Sequence, residues 1–211
     1  MRINGMDPTI FEKEVSSMID LSHYKAIIFD MDGTLVDSMG AHIDAWALTC
    51  QAFGYPFDRD YQYSLGGVPT FETVHLMNAK YGKSHEPSEV AAYKKQAFEG
   101  LDHVPRLIQD TLDVFNHYKG CMPIAVGTGS DRQHAQWVLN EHGLLDQLAA
   151  LVTADDVSKG KPHPETFLRA AELMGVAPQH CVVFEDTDMG RKAAIDGGMS
   201  CFMVHNTRLI Y

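Results

Sequence analysis

The sequence predicts a doubly wound, Rossmann-like α/β sheet with an all-helical domain inserted after the first strand. Three observations support this. Short unbroken apolar runs recur along the chain: AIIF (26–29), PIAV (123–126), LVTA (151–154), CVVF (181–184) and CFMV (201–204). Runs this short and continuous suit strands buried on both faces, as in a parallel sheet. Helical periodicity lies between the later runs, which makes βαβ units. From Ser38 to about Pro105 no strand pattern occurs, so a helical insertion interrupts the sheet there.

In chain order, residues 1–21 form an N-terminal extension, with a helix expected from Pro8 behind Asp7 as its cap and no chemistry assigned to it. AIIF is the first strand. Ser38 is placed to cap a helix whose apolar residues Met39, Ile43, Trp46, Cys50 and Phe53 share a face, with Gly54 as the stop. Further helices are expected over Thr70–Tyr81 and Ser88–Leu101. The sheet core is therefore 22–38 with 106–211, and the helical insertion is 39–105. Beyond the insertion, Asp131 to His142 puts Ala135, Val138, Leu139 and His142 on one face, and Gly143 ends it. Pro164 to Met174 groups Phe167, Leu168, Ala171 and Met174, and Gly175 ends that one.

Composition narrows the class. The chain has 211 residues, 45% of them hydrophobic, enough for one sizeable core and a small second module. The formal net charge of -11 opposes binding to a nucleic-acid backbone. No run approaches the roughly 18 apolar residues of a membrane helix. The N-terminal MRINGMDPTIFEKEV has acids where a signal peptide would have its apolar stretch. Cys50, Cys121, Cys181 and Cys201 form no CxxC pair and are expected to be buried free thiols. A cytoplasmic, monomeric protein with a small-molecule partner is the expectation.

The residues that follow the strands carry the chemistry. After AIIF comes Asp30-Met31-Asp32-Gly33-Thr34; after PIAV, Gly127-Thr128-Gly129-Ser130. After LVTA come Asp155, Asp156 and then Lys161; after CVVF, Glu185-Asp186. Strand ends on one edge of a parallel sheet lie together, where such folds bind ligands. Carboxylates gathered there need a cation, and a hard ion such as Mg²⁺ suits Asp30, Asp186 and a nearby carbonyl. Thr128 between glycines lets backbone N–H groups and a hydroxyl approach phosphate oxygens. A carboxylate beside the metal can attack phosphorus, and a second, two residues on, can move the proton. Each motif alone also fits a capped turn, and Lys161 alone fits a solvated surface lysine. Their joint occurrence in this order after successive strands favours phosphoryl transfer.

These motifs resemble those of the haloacid dehalogenase superfamily, in the group of β-phosphoglucomutase and the small sugar-phosphate phosphatases. The resemblance covers nearly the whole chain after Lys25, and AVGTGS, KGKPHPETF and CVVFEDTDMG are especially similar to bacterial fructose-1-phosphate phosphatases. It implies Asp30 as nucleophile, Asp32 as general acid/base, Thr128 as the phosphate-binding hydroxyl with Gly129 and Ser130 beside it, and Lys161 as the charge-balancing lysine. It implies a Mg²⁺ site of Asp30, Asp32 (through its backbone carbonyl), Asp186 and the supporting acid Glu185. It also implies that the insertion is a closing cap, with His42 coupling substrate to closure.

One departure selects among activities. Mutases of the group have an arginine after a Gly-Val in the cap to hold a second phosphate, and here Gly67-Val68-Pro69 is followed by Thr70. Hydrolysis of small phosphorylated sugars, fructose-1-phosphate-like, is therefore expected over the alternative of a phosphosugar mutase. A phospho-receiver module, with a similar acidic pocket, is opposed by the insertion, Asp32 and the chain length.

Overall fold

The computed structural model describes residues 19–101 and 104–210. The helix expected from Pro8 lies outside them. β1 (Ala26–Phe29) leads through the two-residue β2 (Val36–Asp37) into four helices: α1 (Met39–Phe53), α2 (Arg59–Ser64), α3 (Thr70–Tyr81) and α4 (Pro87–Glu99). β3 (Arg106–Leu107) pairs antiparallel with β2, so the insertion leaves and re-enters the core side by side. The core then continues with α5 (Gln109–Tyr118), β4 (Ile124–Gly127), α6 (Arg132–Glu141), β5 (Ala150–Val152), α7 (Glu165–Met174), β6 (Cys181–Glu185), α8 (Asp188–Asp196), β7 (Ser200–His205) and β8 (Arg208–Ile210).

The sheet order is β5-β4-β1-β6-β7-β8, with β8 alone antiparallel. Every residue of β1, β4 and β6 is buried, which explains why these strands are apolar without alternation. Ile27 and Phe29 face the side that packs Val114 and Phe115 of α5 and Val138 of α6. Ala26 and Ile28 face Phe167 and Ala170 of α7 and Ala193 of α8. Phe29 stacks on Phe184 with ring centroids 4.9 Å apart. Each such fully buried ring contributes roughly 1.5–3 kcal/mol relative to exposure. The cap has its own core of Trp46, Cys50, Tyr55, Val74, Met77 and Val90.

Several expectations are corrected. The run LVTA is shifted: β5 ends at Val152, and Thr153 instead caps a 3₁₀ turn, Ala154–Asp156, through reciprocal bonds with Asp156. The chain's last strand folds back through Asn206 and Thr207, both at positive φ (48° and 61°), as a two-residue hairpin. Leu168 points outward; Ala170 and Thr166 take the buried positions with Phe167 and Ala171. The helix expected over Ser88–Leu101 starts one residue earlier, at Pro87, and ends at Glu99. Ser38 stands at the N-cap of α1, but its side chain makes no cap bond. Only Cys50 and Cys181 are buried; Cys121 is exposed and Cys201 half-buried.

Candidate active site

Asp30 follows β1, Thr128 follows β4, Lys161 lies beyond the turn after β5, and Glu185 and Asp186 stand at the end of β6. Lys161 is fully buried and its Nζ donates to Asp30 Oδ1 (2.5 Å) and Glu185 Oε1 (2.9 Å). The other oxygen of Glu185 accepts from the Thr187 N–H and hydroxyl, so this acid is engaged on both sides. Asp186 Oδ1 accepts from the Thr34 hydroxyl at 3.4 Å, while its Oδ2 is buried with no hydrogen-bond partner. Gly33, at φ +86°, lets that carboxylate in: a Cβ there would stand 2.2 Å from Asp186 Oδ2. The glycine and threonine of the first motif thus shape the pocket of a carboxylate 152 residues away.

Burial pushes the Asp30 carboxyl up to about 7, against the pull of Lys161, with Glu185 adding to the rise. Burial, then Glu185 and Asp30, push Asp186 up to about 9. Burial works against the Lys161 ammonium too, but Asp30 and Glu185 outweigh it and hold it above the usual lysine range. Oxygens of Asp30, Glu185 and Asp186 lie within 4.8 Å of one another. An all-oxygen donor set, an orphaned carboxylate oxygen and one ammonium for three carboxyls fit a hard divalent cation.

Asp32 belongs to a second group on the cap side. Its Oδ1 accepts from Ser38 Oγ (2.5 Å) and its Oδ2 from Ser130 Oγ (2.7 Å). His42 of α1 stacks on Phe98 of α4 at 4.3 Å, and Lys94 Nζ lies 2.9 Å from His42 Nδ1. An ammonium only donates, so Nδ1 accepts and the ring hydrogen sits on Nε2. Nε2 faces Asp32 Oδ1 across 3.2 Å, out of line for a hydrogen bond. Burial, with Lys94 next to it, holds His42 down to about 4, so the ring is neutral near pH 7. Burial also lowers Lys94 to about 8 although Asp32 and Asp131 oppose it. For Asp32 burial favours the acid form, yet His42 and the Ser38 hydroxyl hold it below the usual carboxylate range.

The cap lies closed on the core. A Cβ on Gly160 would stand 2.2 Å from Pro69 Cγ, and one on Gly129 2.5 Å from the carbonyl oxygen of Gly67. Lys95 of α4 reaches α6, 3.1 Å from Gln133 Oε1 and 3.3 Å from Asp131 Oδ2 at its N-cap. Between cap and core is a cavity of about 410 Å³, lined by Asp30, Asp32, His42, Thr128, Gly129 and Ser130 among others. Thr70 lines it as well, and the only cations among its described lining residues are Lys94 and Lys95. Thr128 is buried, and its Oγ1 accepts from Ser130 N at 3.1 Å.

The residues singled out in the sequence thus form two adjoining groups, Asp30-Lys161-Glu185-Asp186 and Asp32-His42-Ser130, and Asp30, Asp32, His42 and Ser130 line one cavity. Thr34 and His134 were given no role, and Ser38 only that of a helix cap. Lys94 is the further cap side chain at the site, touching His42. Its spacing four residues after the apolar Val90, on the inward face of α4, was the available signal.

A family profile described as haloacid dehalogenase-like hydrolase matches residues 24–198. The chain belongs to that family. It is 38% identical over 178 residues to the fructose-1-phosphate phosphatase of Escherichia coli, covering 83% of this chain and 94% of the relative. It is 33% identical to the validoxylamine A 7'-phosphate phosphatase of Streptomyces hygroscopicus subsp. limoneus, covering 84% of each. The crystal structure of β-phosphoglucomutase from Clostridium difficile superposes with a TM-score of 0.73 at 27% identity, over 87% of this chain and 85% of that one. The chain is therefore a haloacid dehalogenase-like hydrolase with the family's parallel core and inserted helical cap. Among the described residues no helix is long and apolar enough to cross a membrane.

Proposed function

We propose that this hydrolase is a Mg²⁺-dependent phosphatase of small phosphorylated sugars, acting through an aspartyl-phosphate on Asp30. The observation that supports it most is the buried Asp30-Lys161-Glu185-Asp186 group, whose Asp30 lines a cavity of about 410 Å³ beside Thr128 and Asp32. Asp30 Oδ1 is held by Lys161, which leaves Oδ2 to attack phosphorus. The new O–P bond forms as the bond to the sugar oxygen breaks, and Asp32 gives that oxygen its proton. A phosphate dianion beside Asp32 raises its proton affinity, offsetting the pull of its resting neighbours. Asp32 then takes a proton from water, which attacks phosphorus and restores Asp30. Thr128 and the N–H groups of the Gly129-Ser130 turn receive phosphate oxygens. Asp30, Asp186 and the Asp32 carbonyl would hold Mg²⁺, with Glu185 supporting as the anchor of Lys161. Bound there, the ion supplies charge to neutralise the phosphoryl oxygens and keep Asp30 ionised. The segment 39–105 is the closing cap, and Lys94-His42 links its position to Asp32.

Hydrolysis is favoured over mutase chemistry because Thr70 offers the distal end of the cavity only a hydroxyl. Lys94 and Lys95 are already engaged by His42 and by Gln133 with Asp131. A bisphosphate held there would lack the bidentate cation that retains it best. The experiment supplies a panel of sugar monophosphates with and without Mg²⁺, and follows free phosphate alongside glucose 6-phosphate formed from β-glucose 1-phosphate primed with the 1,6-bisphosphate. Mg²⁺-dependent phosphate release is expected, abolished in a folded Asp30→Asn protein. Glucose 6-phosphate appearing much faster than phosphate would mean a mutase.

A further inference from the structure

The cavity wall holds a second ligand set, of different chemistry from the all-oxygen group. Ligand atoms, one each from Asp32, His42 and His134, lie within 4.8 Å of one another. The Asp32 oxygen is 3.2 Å from the His42 nitrogen and 4.0 Å from the His134 nitrogen. Two ligands bound at about 2.0–2.1 Å around a tetrahedral ion stand roughly 3.4 Å apart, so these three atoms need only small shifts to share one. Both nitrogens are buried and neither has a hydrogen-bond partner, although each ring is fixed: His42 on Phe98, and His134 edge-on to Phe98 and beside Trp137. Two imidazoles with one carboxylate form a set that borderline ions of the zinc class prefer and that Mg²⁺ does not. All three residues line the cavity.

We infer that Asp32, His42 and His134 form an inhibitory site for a zinc-class divalent cation, separate from the Asp30-Glu185-Asp186 group. For His42 to ligate through Nε2, the ring hydrogen passes to Nδ1 and Lys94 gives one proton to solvent, so each ion adds one net charge to the pocket. The ion takes Asp32 Oδ1, the oxygen nearest both histidines. It also joins three elements, the loop after β1, α1 of the cap and α6 of the core, and so holds the cap shut over an empty pocket. The binding of a cation here does not depend on the phosphatase reading, since the ligand set stands whatever the reaction; its inhibitory effect rests on that reading.

The test loads the metal-stripped full-length protein with Co²⁺ or Zn²⁺ in excess Mg²⁺. One Co²⁺ per chain, with visible absorption bands that Zn²⁺ displaces, is expected, and X-ray absorption of the Zn²⁺ form should show imidazole and oxygen with no sulfur. His134→Gln should weaken binding by on the order of 10²-fold with an unchanged circular dichroism spectrum, and Cys121→Ser should leave it as it was. Absence of saturable binding, a sulfur shell, or wild-type affinity in His134→Gln would each overturn the site. Should His134→Gln fail to fold, the ligand shell of the wild-type Zn²⁺ protein decides alone.

Discussion

Asp30 and Asp32 stand two residues apart but in opposite surroundings, and that difference assigns their work. Asp30 is sealed in with other carboxyls and pushed up to about 7, so as the proposed nucleophile it would need Lys161 and a cation to stay ionised. Asp32 is surrounded by hydroxyls and a histidine on the cap side, where a leaving oxygen would lie. Asp32→Asn keeps the shape and the backbone carbonyl but removes the proton carrier. We expect hydrolysis of sugar phosphates to fall by roughly 10²–10⁴-fold. The fall should be much smaller for p-nitrophenyl phosphate, whose leaving group needs little protonation. Steady-state rates on both substrates check this, and equal losses would take the acid role away from Asp32.

At the scale of elements, the cap meets the core through loops that need small residues beneath them. Gly160 lies under Pro69 with no room for a methyl group and does not have a positive φ. Gly160→Ala should therefore leave the core as stable as before, or slightly more so through the unfolded chain, while blocking closure. A fall in kcat/KM of on the order of 10–10²-fold with an undiminished Tm is the expected pair of readings. An unchanged kcat/KM would show that closure at Pro69 is not required. The strands that frame the site were legible because β1, β4 and β6, buried on both faces, had to be continuous apolar runs. The acids and Lys161 were legible because they follow those runs directly. Pairings of two residues, β2 with β3, have no periodicity to read. α5 and α8 went unread although Thr111-Val114-Phe115 and Gly190-Ala193-Ala194 are the buried stripes of i, i+3, i+4 helices. Nor could the doublet Lys94-Lys95 be divided from sequence alone. One residue turns 100° around a helix, and here it separates a lysine on His42 from one on the core helix. The hydroxyl of Ser38 looked like a helix cap because the rule for caps cannot see a carboxylate six residues back.

At the scale of the whole molecule, the buried acids couple folding to pH and to the cation. Asp30 and Asp186 have folded values raised to about 7 and about 9, from 3.8. A raised carboxyl contributes stability that is full below its unfolded value and is lost as pH rises through its folded one. His42 runs the other way: held down to about 4 from 6.5, it makes the fold gain stability as pH climbs between those values. Lys94, held down to about 8 from 10.5, adds a similar gain only above about pH 8. Between about pH 6.5 and 8, then, Asp186, joined by Asp30 up to about pH 7, acts unopposed by these groups, and the metal-stripped protein should lose thermal stability across that window. Mg²⁺ binds the ionised form, so its stabilisation should grow over the same window. At a free concentration of 100 times Kd the gain is about 2.7 kcal/mol, which for a chain of this size is roughly 5–10 °C in Tm. Thermal unfolding at pH 6.5 and pH 8, each with chelator and with Mg²⁺, measures all four corners. A stripped protein whose Tm is flat or rising, together with a Mg²⁺ shift that ignores pH, would mean that the cation is not held by Asp30 and Asp186.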